Sequence, residues 1–118
     1  MTALETAKLA AKALSAKKGL DIKVIKIDDI SVLSDYMVIA TGTSGTQVKA
    51  MADHVEYELA VAGVSVSDIE GYRSYTWILM DYIDVIVHVF MEETREFYEL
   101  ERMWQDGENI DFSDIIDY

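Results

Sequence analysis

A chain of 118 residues, 51% of them hydrophobic, can bury one core of a sheet and its covering helices. Its 22 acids against 10 bases give a net charge of −12, which repels phosphate backbones and favours a basic partner over bare nucleic acid. Cysteine is absent, so disulfides, thiol catalysis and thiolate-bound zinc are excluded.

In chain order, Leu4, Ala7, Ala11 and Leu14 form one stripe, which predicts a helix over 2–18 ended by Gly19, with Lys8 and Lys12 on its solvent side. This opening stretch lacks the apolar block of a signal peptide and matches an import sequence poorly. No run approaches a membrane span, so a cytoplasmic protein is the default. Ile22, Val24 and Ile27 mark a first strand. Asp28 to Ser34 is a polar connection, and Tyr36 to Thr41 reads as a buried strand. In the turn from Gly42 to Gln47, Ser44 is a good N-cap and Gln47 completes a capping box. The helix that follows carries Val48, Met51, Ala52, Val55, Leu59 and Ala62 at helical spacing and stops at Gly63. A third strand is expected over Val64 to Ile69.

Two β-rich runs, Tyr75 to Met80 and Val85 to Phe90, then meet at Asp81–Tyr82–Ile83–Asp84. With Tyr82 and Ile83 as the two loop residues, Asp81 faces Asp84, Leu79 faces Ile86 and Trp77 faces His88. Ile78, Met80, Val85 and Val87 then line an aliphatic face that reads as core. Trp77, Leu79, Ile86 and His88 line the other, with two carboxylates at its tip. Glu92, Glu93 and Glu96 suit the start of a last helix whose apolar positions are Phe97, Leu100, Met103 and Trp104. The reading is α/β: one small domain over residues 1–104 with a mixed sheet covered by helices. An acidic, partly apolar tail over 105–118 is expected to dock on the domain, on a partner or on a second copy as a homodimer.

Charge is uneven. Residues 1–27 hold Lys8, Lys12, Lys17, Lys18, Lys23 and Lys26 against Glu5 and Asp21, and the rest of the chain carries the acidic excess. The glycine-rich turn at Gly42 lacks the lysine of a P-loop and the third glycine of a dinucleotide fingerprint, and capping explains it. Asp81 and Asp84 could hold a cation or be ordinary turn residues. His54 reads as a solvated helix residue, and His88 paired with Trp77 makes no metal site without added acids. Phe90, Phe97 and Trp104 read as core; Tyr72, Trp77 and Tyr82 read as interface anchors.

The segments SDYMVIATGTSGTQVKAMAD, EGYRSYTWILMDYIDVIVHVF and EETREFYELERMW resemble, in order and spacing, the ribosomal silencing factor or Iojap family, from about Ser34 to Trp104. The resemblance implies a domain shaped like a nucleotidyltransferase, without catalysis, cofactor or metal. It implies binding to the large ribosomal subunit through ribosomal protein L-fourteen. The small subunit is then blocked from joining and translation is repressed when nutrients are scarce. Organellar relatives are tied to large-subunit assembly. Position by position, the implied partner-binding residues are Tyr72, Arg73, Trp77, Asp81, Asp84, His88 and Tyr98. Ile83 departs from the family pattern, which favours a small or polar residue there. A β-branched residue is strained in a tight turn, so either the loop is longer or Ile83 packs on something. The rival from another class is a nucleotidyltransferase or phosphoryl-transfer enzyme. Here Thr43 separates the glycine from the serine, and the aspartates flank a turn instead of sharing a strand. A minor rRNA contact through Lys8, Lys12, Lys17 and Lys18 would use the one basic stretch.

Overall fold

The computed structural model describes residues 1–28, 34–71, 75–98 and 107–112, the side chains of 96–98 excepted. The elements are α1 (Ala3–Ala16), β1 (Leu20–Lys26), β2 (Tyr36–Gly42), α2 (Gly45–Val61), β3 (Asp68–Glu70), β4 (Trp77–Asp81), β5 (Val85–Met91), α3 (Glu92–Tyr98) and β6 (Glu108–Asn109). The six strands lie in the order β3-β4-β5-β2-β1-β6. Only β2 and β5 run parallel; the other neighbours are antiparallel. The α/β domain with a mixed sheet is therefore present. A parallel pair needs a long crossover, and α2 with the β3–β4 excursion supplies it.

Alternation along the strands sorts the side chains onto two faces. Val24, Val38, Ala40, Ile78, Met80, Val85, Val87 and Val89 form one wholly buried set. Onto it pack Ala7, Ala10, Ala11 and Leu14 of α1 and Val48, Met51, Ala52, Val55 and Leu59 of α2. Small alanines let α1 approach closely. The opposite face holds Ile25, Ile27, Met37, Ile39 and Phe90, with Trp77 packed against them.

The helix ends differ in detail from expectation. Thr2 caps α1 and Glu5 closes a capping box with it. The left-handed residue after α1 is Lys18, at φ +63°, not Gly19. Gly19 serves a close approach instead: a Cβ there would lie 2.8 Å from the Met51 methyl and 2.9 Å from the Leu14 carbonyl. Ser44 caps α2 as expected, its hydroxyl accepting from the Gln47 N–H. The Gln47 side chain does not return to Ser44. Its Oε1 accepts from the Thr43 N–H, and its Nε2 donates to the Lys17 and Lys18 carbonyls, tying the end of α1 to the start of α2.

The third strand is shorter than expected: only Asp68–Glu70 pairs with β4, and Val64 and Val66 pack on the helix-covered core from the connection. Tyr75 lies outside β4, at φ +55°. Most of the Asp28–Ser34 connection lies outside the described residues. From the C-terminal segment, Glu108–Asn109 pair with β1, and Ile110 and Phe112 pack on the helix-covered core.

Candidate functional site

The hairpin register is two residues away from the expected one. Trp77 pairs with Phe90, Leu79 with His88 and Asp81 with Ile86, so the loop residues are Ile83 and Asp84. The reason is Tyr82. Its ring is only 7% exposed in the helix-covered core, and its backbone N–H donates to the Val85 carbonyl. Tyr82 is thus core and not an interface anchor, and burial pushes its phenol above the usual tyrosine range. A slip of one residue would have exchanged the faces; a slip of two leaves them intact. Trp77, Leu79, Ile86 and His88 therefore still share a face, joined by Asp81 and Phe90.

On that face Trp77 stacks on Phe90 with ring centroids 5.0 Å apart. Its indole Nε1 donates to His88 Nδ1 at 3.1 Å, a diagonal cross-strand contact. That bond requires a lone pair on Nδ1, so His88 carries its proton on Nε2. At 8% exposure the imidazole lies beneath Trp77 instead of at the surface, and burial lowers its pKa to about 4. His88 is neutral at ordinary pH. Trp77 itself is half-buried, packed against Phe90 and His88.

Gly71 fixes where β4 begins. A Cβ there would lie 1.9 Å from the Trp77 carbonyl oxygen, and its φ is +93°, so only glycine fits. Tyr72 and Arg73 follow it directly and lie outside the described residues. Tyr98 closes α3, but its side chain lies outside them as well.

Acids rim the apolar patch. Asp68 pairs directly with Asp81 and Glu70 with Leu79, which puts two further carboxylates on the Trp77 face. Sequence reasoning missed both: Glu70 lay past the expected end of the third strand at Ile69, and Asp68, though inside it, reaches this face only through a pairing with β4 that the sequence does not specify. Like charges placed directly opposite weaken a strand pair, so the Asp68–Asp81 pairing does not stabilise the join of β3 to β4. Asp81 also has an internal task, since its Oδ1 accepts from the Ile83 N–H at 2.7 Å. Asp84 is exposed at the tip. Among the described residues, no group of three or more His, Asp or Glu side chains could hold a metal ion.

A second tie went unnoticed in the sequence. Arg95 of α3 is buried; its Nη1 donates to Thr41 Oγ1 at 2.7 Å and to the Asp21 carbonyl at 2.8 Å. It fixes α3 to the irregular start of β1, where Asp21 sits at φ +49°. No local pattern betrays it, because its partners are 54 and 74 residues away in the chain. Across the sheet from Trp77, Lys8 and Lys12 lie on α1, with exposed Lys17 and Lys18 at its end. His54 is half-buried beside Glu58. No helix among the described residues is long and apolar enough to cross a membrane.

Comparison with known proteins places this geometry. The model of the family described as "Ribosomal silencing factor during starvation" matches residues 1–117. A ribosomal silencing factor of Chromobacterium violaceum is 41% identical over 100 residues, 85% of this chain and 82% of that protein. One from Zymomonas mobilis is 42% identical over 104 residues, 88% and 78% of the two chains. A crystal structure of a Chromobacterium violaceum protein superposes with a TM-score of 0.87 at 39% identity, covering 95% of this chain and 92% of the other. A mouse protein named for mitochondrial assembly of the ribosomal large subunit is 32% identical over 94 residues, 77% of this chain and 41% of that protein. The acid-rimmed hairpin face thus sits on a fold and a sequence shared along nearly the whole chain, and the protein belongs to the ribosomal silencing factor family.

Proposed function

We propose that this protein binds the large ribosomal subunit through ribosomal protein L-fourteen, using the Trp77 face of the hairpin. Occupying that site blocks joining of the small subunit and represses translation under nutrient limitation. The observation that carries the reading is the construction of the face. An indole stacked on buried Phe90, its N–H satisfied by neutral His88, shares its sheet face with Glu70, Asp68 and Asp81 further along the strands, and Asp84 is exposed at the hairpin tip. Half-buried aromatics within a charged rim are how interfaces place their strongest contacts. The rim is acidic, so the partner surface is basic, and attraction speeds encounter without holding the complex alone. Tyr72, Arg73 and Tyr98 complete the partner-binding set in this reading, while His88 acts from beneath by holding Trp77.

The activity is steric and non-enzymatic, and it uses no cofactor. Asp81 gives one carboxylate oxygen to its own turn, an arrangement unsuited to a metal-dependent transfer site. The family's organellar relatives leave a role in large-subunit assembly open to the same surface. A minor rRNA contact through Lys8, Lys12, Lys17 and Lys18 would use the opposite layer.

The test is retention on purified large subunits, with cross-linking to identify the contacted protein. Trp77→Ala should weaken binding about thirtyfold, roughly 2 kcal/mol, while the helix-covered core keeps the chain folded. Unaltered retention of the variant overturns the reading. So does tight calorimetric uptake of a nucleotide with Mg²⁺, which would favour the enzyme.

A further inference from the structure

The tip of the hairpin is built in a way that folding alone would not favour. The Asp84 N–H donates to the Tyr82 carbonyl at 2.9 Å, closing a three-residue turn around Ile83, whose φ is +73°. That is the rare, strained form of such a turn, and a β-branched side chain is among the worst occupants of positive φ. The side chain recovers little of this strain through packing, because Ile83 is 65% exposed. Yet the strain is held firmly. The Ile83 N–H donates to Asp81 Oδ1 at 2.7 Å, and the buried Ser34 hydroxyl donates to the Ile83 carbonyl at 2.9 Å. The Asp84 carbonyl accepts from the N–H groups of Asp35 and Tyr36 at 2.9 and 3.1 Å. The turn is tied to the start of β2 on one side and to Asp81 on the other, so the side chain above it is fixed in direction.

We infer that Ile83 is a preformed apolar anchor, which inserts into an apolar socket on the basic ribosomal protein contacted by the hairpin face. The inference rests on the large-subunit reading above and adds a specificity-determining residue to it. Strain retained where the surroundings over-determine it points to use, and a contact fixed before binding loses little freedom on docking. The flanking charges select the occupant. Asp81 and Asp84 bracket Ile83, with Asp68 across the strand pair from Asp81. Two copies meeting at this tip would oppose acid with acid, whereas a basic surface pairs with the rim while its apolar pocket takes the isoleucine.

The experiment measures affinity for purified bacterial large subunits, with a melting temperature for each variant. Ile83→Ala keeps the strained, clamped backbone but removes the anchor, and should weaken binding about tenfold. Ile83→Val keeps the branch and should stay within about threefold. Ile83→Gly relieves the strain; its melting temperature should not fall, yet it should bind as weakly as the alanine variant. If Ile83→Ala lowers the melting temperature appreciably, the glycine variant decides. Binding by the alanine and glycine variants within twofold of the parent overturns the anchor while leaving the large-subunit reading intact. A parent chain that does not bind large subunits overturns both. Concentration-dependent dimerisation lost in Ile83→Ala would assign the tip to a second copy and overturn the choice of partner.

Discussion

The two faces of the sheet are made by the same strands and obey different rules. Under α1 and α2 the side chains are aliphatic, small to medium and buried, with no polar atom besides the Tyr82 hydroxyl on that side of the hairpin. On the other side, within the same hairpin, Trp77, His88 and Phe90 stack and hydrogen-bond, and a half-buried rim leads out to carboxylates. The first face has only to exclude water, so volume and shape decide it. On the second, a buried polar group fixes orientation, the His88 imidazole holding the Trp77 indole through a hydrogen bond. In the proposed reading, stability and recognition are thereby separated by the pleat of the strands, one residue apart in sequence.

The comparison breaks most severely on the helix-covered side. Ile78→Ala removes a fully buried branch and should cost about 4 kcal/mol, read by denaturant unfolding. Any fraction still folded should bind large subunits normally, because Ile78 does not reach the other face. A specific binding defect in the folded fraction would show that the faces are coupled. Gly71→Ala attacks the junction instead. Its Cβ would collide with the Trp77 carbonyl at a positive φ, costing about 3 kcal/mol. Binding should suffer with stability here, since Trp77 must move, and circular dichroism with retention assays reads both.

His88 sharpens the contrast through pH. Its folded pKa lies at about 4 against an ordinary 6.5, so the unfolded chain binds the proton that the folded chain refuses. The stability it contributes is fully present above about pH 6.5 and drains away as pH falls toward about 4, by roughly 2 to 3 kcal/mol. His88→Asn, which retains an acceptor for the indole, should flatten that slope; melting curves of the two proteins across this window compare it. Equal slopes would mean that His88 is solvated. The smallest effect belongs to the rim. Replacing Asp81 and Asp84 together by Asn keeps an acceptor for the Ile83 N–H and removes two charges. Stability should change by less than about 0.5 kcal/mol, while large-subunit affinity falls by about 1 kcal/mol at low salt and its salt dependence flattens. Affinity unchanged at low and high salt would reduce these acids to turn residues.

Much of this site is legible before folding is considered. Period-two alternation sorts Trp77 and His88 from Ile78 and Val87 whichever register the hairpin takes, since only an odd slip exchanges faces. Helical spacing likewise picks out Val48, Met51, Val55 and Leu59. What escapes is anything set by contacts distant in the chain. Tyr82 looks like a loop aromatic until the core beneath α2 takes it, and its burial moves the turn by two residues. Asp68 and Glu70 join the rim only through pairing with β4. Arg95 reads as one more surface charge until β1 and β2 offer it a carbonyl and a hydroxyl.

Sequence alone therefore determined the class of the domain, the faces of its strands and the family to which it belongs, because all three rest on local periodicity and residue order. Tertiary structure alone decided the register, the neutral state of His88 and the exposed strain at Ile83. Those depend on how burial in one element competes with turn geometry in another. That competition is settled by packing free energy, which no window of neighbouring residues contains.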